Sequence, residues 1–238
     1  MYRHRVRHLN SLILEMFSSA YSQRRMARTL KVNRKTIVRK FVFLALRARE
    51  RNLIYFSQLP KIHELQFDDL ETFEHTKLKP LSVTLAVEKN SRKIIGFEVS
   101  SMPAKGHLAL KSVKKYGRRA DQRTQAREDL FAKIKVKVSR LATIESDSNP
   151  HYVGDVKRHF PDAYHKTYLG GRSAIVGQGE LKKLTFDPLF SLNHTCAMLR
   201  ANINRLIRKT WCTTKKSENL ARHLEIYAYF HNHMLLDQ

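Results

Sequence analysis

The sequence predicts an α/β chain in which an all-helical N-terminal segment precedes a mixed sheet flanked by helices. Three observations lead there. The first 51 residues carry apolar side chains at helical spacing. A run of extended, β-branched segments follows, with Leu81–Val87 alternating most clearly. After that, amphipathic stretches and short strands take turns to the end of the chain.

In the N-terminal segment, Leu9, Leu12, Ile13, Met16 and Phe17 mark a first helix ending near Ser18-Ser19. Ser22 is placed to cap a second helix with Met26, Ala27 and Leu30 as its apolar stripe. Asn33 is placed to cap a third, with Ile37, Val38 and Phe41 facing inward. Residues 62–73, 81–87 and 93–99 read as a three-stranded meander, with a turn at Asn90-Ser91. Residues 103–127, rich in Lys, Arg and Gly, show no period and read as an inserted loop or hairpin. A helix over 129–138, a strand over 141–146 ending at Asp147, a helix over 151–160 and a strand over 163–168 come next. Gly170-Gly171 and Gly177-Gln178-Gly179 frame a flexible segment before a long helix from about Pro188 to Trp211. Three strands, then helix, strand, helix, strand, helix, is the order of an RNase-H-like domain. The expected boundaries are 1–53 for the helical domain, 60–215 for the sheet domain with a basic insertion near 103–127, and 216–238 for a C-terminal helix on the core.

Composition narrows the function. Lys and Arg number 45 against 21 Asp and Glu, a formal charge of +24. Such a surplus suits a polyanion, because neutralising phosphates releases condensed counterions. With 42% hydrophobic residues the chain has material for an ordinary core. It holds no apolar run long enough to span a bilayer and no apolar signal region, which predicts a soluble, cytoplasmic and nucleoid-associated protein. Two cysteines without CxxC spacing argue against a disulfide framework or a cysteine zinc site.

The front of the chain holds fourteen of the basic residues between Met1 and Arg51, against Glu15 and Glu50 alone. Residues 22–40 have the spacing of a helix-turn-helix. The second helix of that pair would enter a major groove, led by Arg34, Lys35, Thr36 and Arg39. Gln23, Arg24 and Arg25 would meet the phosphate backbone at the neighbouring helix start. A solvated basic hairpin is the plainer alternative.

An RNase-H-like domain that acts on phosphodiesters needs oxygen ligands for a pair of Mg²⁺ ions. One carboxylate should come from the middle of the first strand, one from the end of the fourth, and a third ligand from the final helix. Asp68 in FDDLETF meets the first demand, with Asp69 as its rival. Asp147 in SDSNPHY meets the second, although it is also placed to cap the turn that follows. Asn193 offers the third, with Arg200 two helical turns along the same face for phosphate; Glu180 is the acidic rival. Glu71 and Glu145 stand near the two aspartates as supporting groups. Trp211, Tyr227, Tyr229 and Phe230 read as core.

These motifs together resemble the insertion-sequence transposases of the DDE superfamily, in particular the small bacterial type. Asp147 with Tyr152 matches an Asp-x-x-x-x-Tyr motif, and Leu199-Arg200, Arg205-Leu206 and Arg208-Lys209 match the C-terminal helix. The resemblance covers most of the chain. It implies strand cleavage and 3′-OH strand transfer, with Mg²⁺ or Mn²⁺ held by Asp68, Asp147 and Asn193. Double-stranded DNA (terminal inverted repeats and target) is the implied partner, and a homodimer or larger synaptic assembly the implied form. Two departures stand out. Asn193 sits where the family usually has glutamate, as in a related group, and the zinc ribbon that often precedes the helix-turn-helix is missing, as in a short or truncated copy. A decayed transposase acting only as a DNA-binding protein or repressor is the alternative, and a plain RNase-H-like nuclease a second.

Overall fold

A computed structural model describes residues 5–169, 187–207 and 211–236. Three helices open the chain: α1 (Asn10–Phe17), α2 (Gln23–Thr29) and α3 (Arg34–Gln58). The Ser22 side chain accepts from the Arg25 N–H and that of Asn33 from the Lys35 N–H, so both short-range caps form. Between them Lys31 adopts a left-handed φ of 50°, and the Val32 N–H donates to the Ala27 carbonyl, closing α2. Helix α3 then runs for 25 residues and hands the chain to the sheet.

The five strands are β1 (Ile62–Phe73), β2 (Pro80–Glu88), β3 (Ile94–Ser101), β4 (Val138–Asp147) and β5 (Tyr164–Tyr168), in spatial order β3-β2-β1-β4-β5. β1, β2 and β3 pair antiparallel; β4 lies parallel to β1, and β5 parallel to β4. A parallel pair needs a crossover, which α5 (Arg123–Ile134) supplies between β3 and β4 and α6 (Pro150–His159) between β4 and β5. This mixed α/β architecture is compatible with an RNase-H-like core.

Alternation along the strands sorts side chains to two apolar layers. Leu65, Phe67 and Ile144 pack against Leu130, Phe131 and Ile134 of α5 and Tyr152 and Val156 of α6. On the opposite face Leu70, Val83, Leu85 and Val87 pack against α7 (Phe190–Asn202) and α8 (Ser217–Phe230) through Leu192, Leu199, Leu220, Leu224 and Tyr227. A third cluster joins Ile13, Phe17, Ile37 and Phe41 to Ile226 of α8, seating the N-terminal helices on the core. There His223 lies edge-on to Phe17 and Phe41, and burial pushes its pKa down to about 4. Its ring is therefore neutral near pH 7, and Nε2 donates to the Phe17 carbonyl at 2.8 Å.

Several local expectations change, among them Trp211, which is exposed rather than part of the core. Residues 103–127 hold α4 (Ala109–Tyr116) and the start of α5 rather than a loop or hairpin. Helix α7 stops at Asn202 instead of running to Trp211. Ile203 turns extended to bury itself completely, and a 3-10 turn at Asn204–Leu206 follows, carrying Arg205 and Leu206. Arg208 and Lys209 of the motif lie outside the described residues, as do Gly170, Gly171, Gly177 and Gly179. Among the described residues no helix is long and apolar enough to cross a membrane.

Candidate active site

Strand alternation places Gln66, Asp68 and Leu70 of β1 toward α7, and Phe67 and Asp69 toward α5 and α6. On β4, Glu145 shares the α7 face, since it bonds to Gln66. The last paired residues of β1 and β4 are Gln66 and Glu145. Asp68 and Asp147 each lie two residues beyond, so both return to that face where the ladder has ended. Two carboxylates thus stand together at the carboxyl end of a parallel pair, the place where open α/β sheets bind ligands.

The pair is electrostatically crowded. The Asp68 carboxyl is pushed up to about 6, first by burial and then by the charge of Asp147. Hydrogen bonds to Asp68 Oδ1 from the Asp69 N–H (2.7 Å) and the Tyr152 hydroxyl (3.0 Å) pull the other way. Burial and the three nearby carboxylates hold the Tyr152 phenol far above its usual range, so it stays protonated and donates. Asp147 Oδ1 accepts from the Asn149 N–H at 3.0 Å, the turn-capping bond, while Asn149 itself caps α6.

Asp69 belongs to a different network. Thr84 donates to its Oδ1 and Arg127 to its Oδ2 at 3.2 Å, and Arg127 also donates to Asp155 of α6 at 2.6 Å. All three charged side chains are buried. Glu145, also buried, accepts from Gln66 (2.7 Å), Lys89 (2.9 Å) and Tyr168 (3.0 Å). Gln66 in turn donates to the Pro188 carbonyl and accepts from the Leu192 N–H, which ties the first turn of α7 to the sheet. Glu71 is exposed and paired with Lys105.

Asn193 sits on the exposed side of that first turn. Its Nδ2 donates to Asp187 at 2.8 Å, and among the described residues its hydrogen bonds run to Asp187 and Leu189, not to either aspartate. The α7 side chain in the field of Asp68 is Cys196. Its thiol is pushed up to about 12 by burial and then by Asp68, with Arg200 opposing. Arg200, exposed one turn further on, is thus within electrostatic reach of Cys196. Glu180 lies outside the described residues. Among those described, no group of three His, Cys, Asp or Glu could hold a metal ion. The donor set is two carboxylates, and it fits a hard divalent cation that keeps waters and takes phosphate oxygens. A cation between them would offset the repulsion that raises the Asp68 carboxyl.

Gln66, Arg127, Asp155 and Asp187 also belong to these networks, beyond the candidates that the sequence singles out. Asp187 stands directly before Pro188 and accepts from the Leu189 N–H at 3.0 Å, a local capping signal that was legible. Gln66 was signalled only by being a polar residue two positions from Asp68 on a buried face.

The N-terminal basic residues lie on the surface. Arg24, Arg25, Arg34, Lys35 and Arg39 are exposed, and Gln23 and Thr36 half-buried. Arg25 lies over the Tyr21 ring at 5.8 Å. Lys40 instead turns inward to the Val6 carbonyl and Asn10.

The strain at Asp68 has a sign in stability. The folded state holds its proton more tightly than the unfolded chain, from about 6 against an ordinary 3.8. The cost is therefore absent below pH 4, grows between 4 and 6, and is complete above 6. Asp68→Asn, which keeps an acceptor for Tyr152, should stabilise the fold by about 1–3 kcal/mol at pH 7.5 and by nearly nothing at pH 4. Urea unfolding at the two pH values measures it; an equal effect at both would contradict the assignment.

No family model matches the chain, and no curated protein matches it. Among solved structures, a chain from "Crystal structure of a pre-cleavage Mos1 transpososome" is similar at 11% identity. The match covers 93% of this chain and 75% of that one, with a TM-score of 0.25. At that distance the likeness carries no argument about this chain's chemistry.

Proposed function

We propose that this chain is a DNA transposase that cleaves strands at insertion-sequence ends and joins the 3′-hydroxyl to target DNA. The observation that carries the reading is the crowded pair of Asp68, in the middle of β1, and Asp147, at the end of β4, just beyond the point where the parallel pairing of the two strands stops. Carboxylates so placed repel each other unless a cation sits between them.

Asp68 and Asp147 would hold Mg²⁺, for which Mn²⁺ can substitute. The bound ions supply charge neutralisation at the attacking and leaving oxygens of an in-line displacement. The chain's own residues do the positioning. Tyr152 and the Asp69 amide fix one oxygen of Asp68, leaving the other for coordination. The Arg127–Asp69–Asp155 network locks β1 to α5 and α6 behind it. Arg200 supplies a cation for phosphate on the α7 side, and Asn193 assists from the same helix. In this reading α2 and α3 act as a helix-turn-helix on the terminal repeats, with Gln23, Arg24 and Arg25 on the backbone and Arg34, Lys35, Thr36 and Arg39 in the groove. A homodimer or larger assembly would bring two ends together.

One observation favours the rival reading of a decayed transposase that only binds DNA: no third carboxylate joins the pair in a group that could hold a metal ion among the described residues. A strand-transfer assay decides. With a pre-cleaved 3′ end carrying the element's repeat, wild type in Mg²⁺ or Mn²⁺ should yield joined product, and Asp68→Ala none. A plain nuclease would give shortened strands without joining, and a decayed copy neither.

A further inference from the structure

The segment between β3 and α5 has no part in the site described above. From residue 101 to 120 it carries Lys105, Lys111, Lys114, Lys115, Arg118 and Arg119 and no acidic residue. Its helix α4 is almost wholly displayed. Ser112 is the one buried residue of α4, and its hydroxyl donates to the Leu78 carbonyl at 2.7 Å. Around that anchor Leu110 is 84% exposed, Val113 47% and Tyr116 37%, at i, i+3 and i+6 on one side of the helix. Lysines 111, 114 and 115 are exposed between them.

The helix is nonetheless held in place. Arg119 donates to the Met102 and Pro80 carbonyls, Lys105 pairs with Glu71, and Ser101 bonds to Ala120 and Gln122. These anchors lie at the end of β1 and the start of β2, where Phe73 pairs with Pro80 and Thr72 with Leu81. That is the sheet end toward which β1 runs on from Asp68 and at which β4 ends in Asp147. Phe73 lies five residue steps along β1 from Asp68, about 17 Å at the usual rise. On a duplex that distance is roughly five base pairs.

We infer that α4 is a second DNA-contacting element, which grips duplex DNA roughly five base pairs from the phosphate held at Asp68 and Asp147. Lys111, Lys114 and Lys115 take backbone phosphates, while Leu110 and Val113 press their apolar surface against sugars or a base step. The occupant follows from charge: Lys111, Lys114, Lys115 and Arg118 are exposed on a segment with no acidic residue of its own, and such a surface complements a polyanion. Its place at the catalytic end of the sheet makes that polyanion the substrate. The inference rests on the proposed function only for the identity of the polyanion, because binding is read without metal or cleavage.

The test is the full chain carrying Lys111→Ala, Lys114→Ala and Lys115→Ala, titrated on a 40-base-pair duplex without divalent cations at several salt concentrations. The exposed positions leave both cores intact, which circular dichroism checks. Affinity at 0.1 M salt should fall tenfold or more, and the salt slope should drop by roughly 2–3. In addition, Leu110→Cys should form a disulfide by exchange, releasing the leaving thiol, with duplexes bearing an activated mixed-disulfide tether about five base pairs from the cleavage point, and not with tethers at fifteen. Unchanged affinity and slope would overturn the inference. So would unchanged DNA binding with lost self-association in sedimentation, or with lost flotation on phosphatidylserine vesicles, since the face would then serve protein or membrane. Loss of cleavage in Asp147→Ala with normal DNA binding leaves this result independent; failure of cleavage in wild type bears on the proposed function alone.

Discussion

Asp147→Ala should abolish metal-dependent strand cleavage, a fall of at least 10³-fold or about 4 kcal/mol of transition-state stabilisation, while duplex affinity stays within a factor of two. The two effects separate because the aspartates and the basic surfaces are different parts of the molecule. Asp147 stands at the end of β4 beside Asp68, whereas Arg24, Arg25, Arg34, Lys35 and Arg39 are exposed on the N-terminal helices. The same substitution removes the charge that helps raise the Asp68 carboxyl to about 6. It also removes the bond from the Asn149 N–H, and the two effects offset, so the variant should melt close to wild type in metal-free buffer near pH 7.5. A catalytically dead protein that is also less stable would point to a structural role for Asp147 in capping the α6 turn instead.

Arg127→Met should be the most destabilising single change near the site, at about 3–5 kcal/mol, because it leaves Asp69 and Asp155 buried and uncompensated. For a chain of this size the melting temperature should fall by roughly 6–20 °C. The cost comes from orphaned charge rather than from a lost attraction. Replacing all three partners together (Arg127→Met with Asp69→Leu and Asp155→Leu) should recover most of the loss. Thermal unfolding of the single and triple variants in parallel measures it. If the single variant loses less than 1 kcal/mol, the network is solvated and does not hold β1 against α5 and α6.

Both predictions rest on tertiary pairings, and there the sequence was least legible. The meander was readable because β2 puts β-branched residues on both faces of a central strand, and Ser22 and Asn33 because capping is local chemistry. Asp68 and Asp147 could be placed by strand position alone. The partition of Asp68 from Asp69 follows from alternation, but Arg127 as the partner of Asp69 does not, since those residues are 58 positions apart. Helix α4 escaped notice because its apolar residues face solvent, so no buried stripe set a period. The end of α7 was misplaced because burying Ile203 under α8 outweighs continuing the helix, and only the assembled core shows that. Asn193 illustrates the same limit: nothing local in the sequence signals that its Nδ2 donates to Asp187.

In the proposed mechanism Asp68 and Asp147 form one cation site. Mn²⁺ binding by isothermal titration calorimetry, on wild type and Asp147→Ala without DNA, tests it most directly. Wild type should show saturable binding that weakens at least tenfold in the variant and fades as pH falls from 7.5 toward 5, where Asp68 takes up its proton. Equal Mn²⁺ affinity in the two proteins, or no binding to wild type at millimolar Mn²⁺, would contradict it.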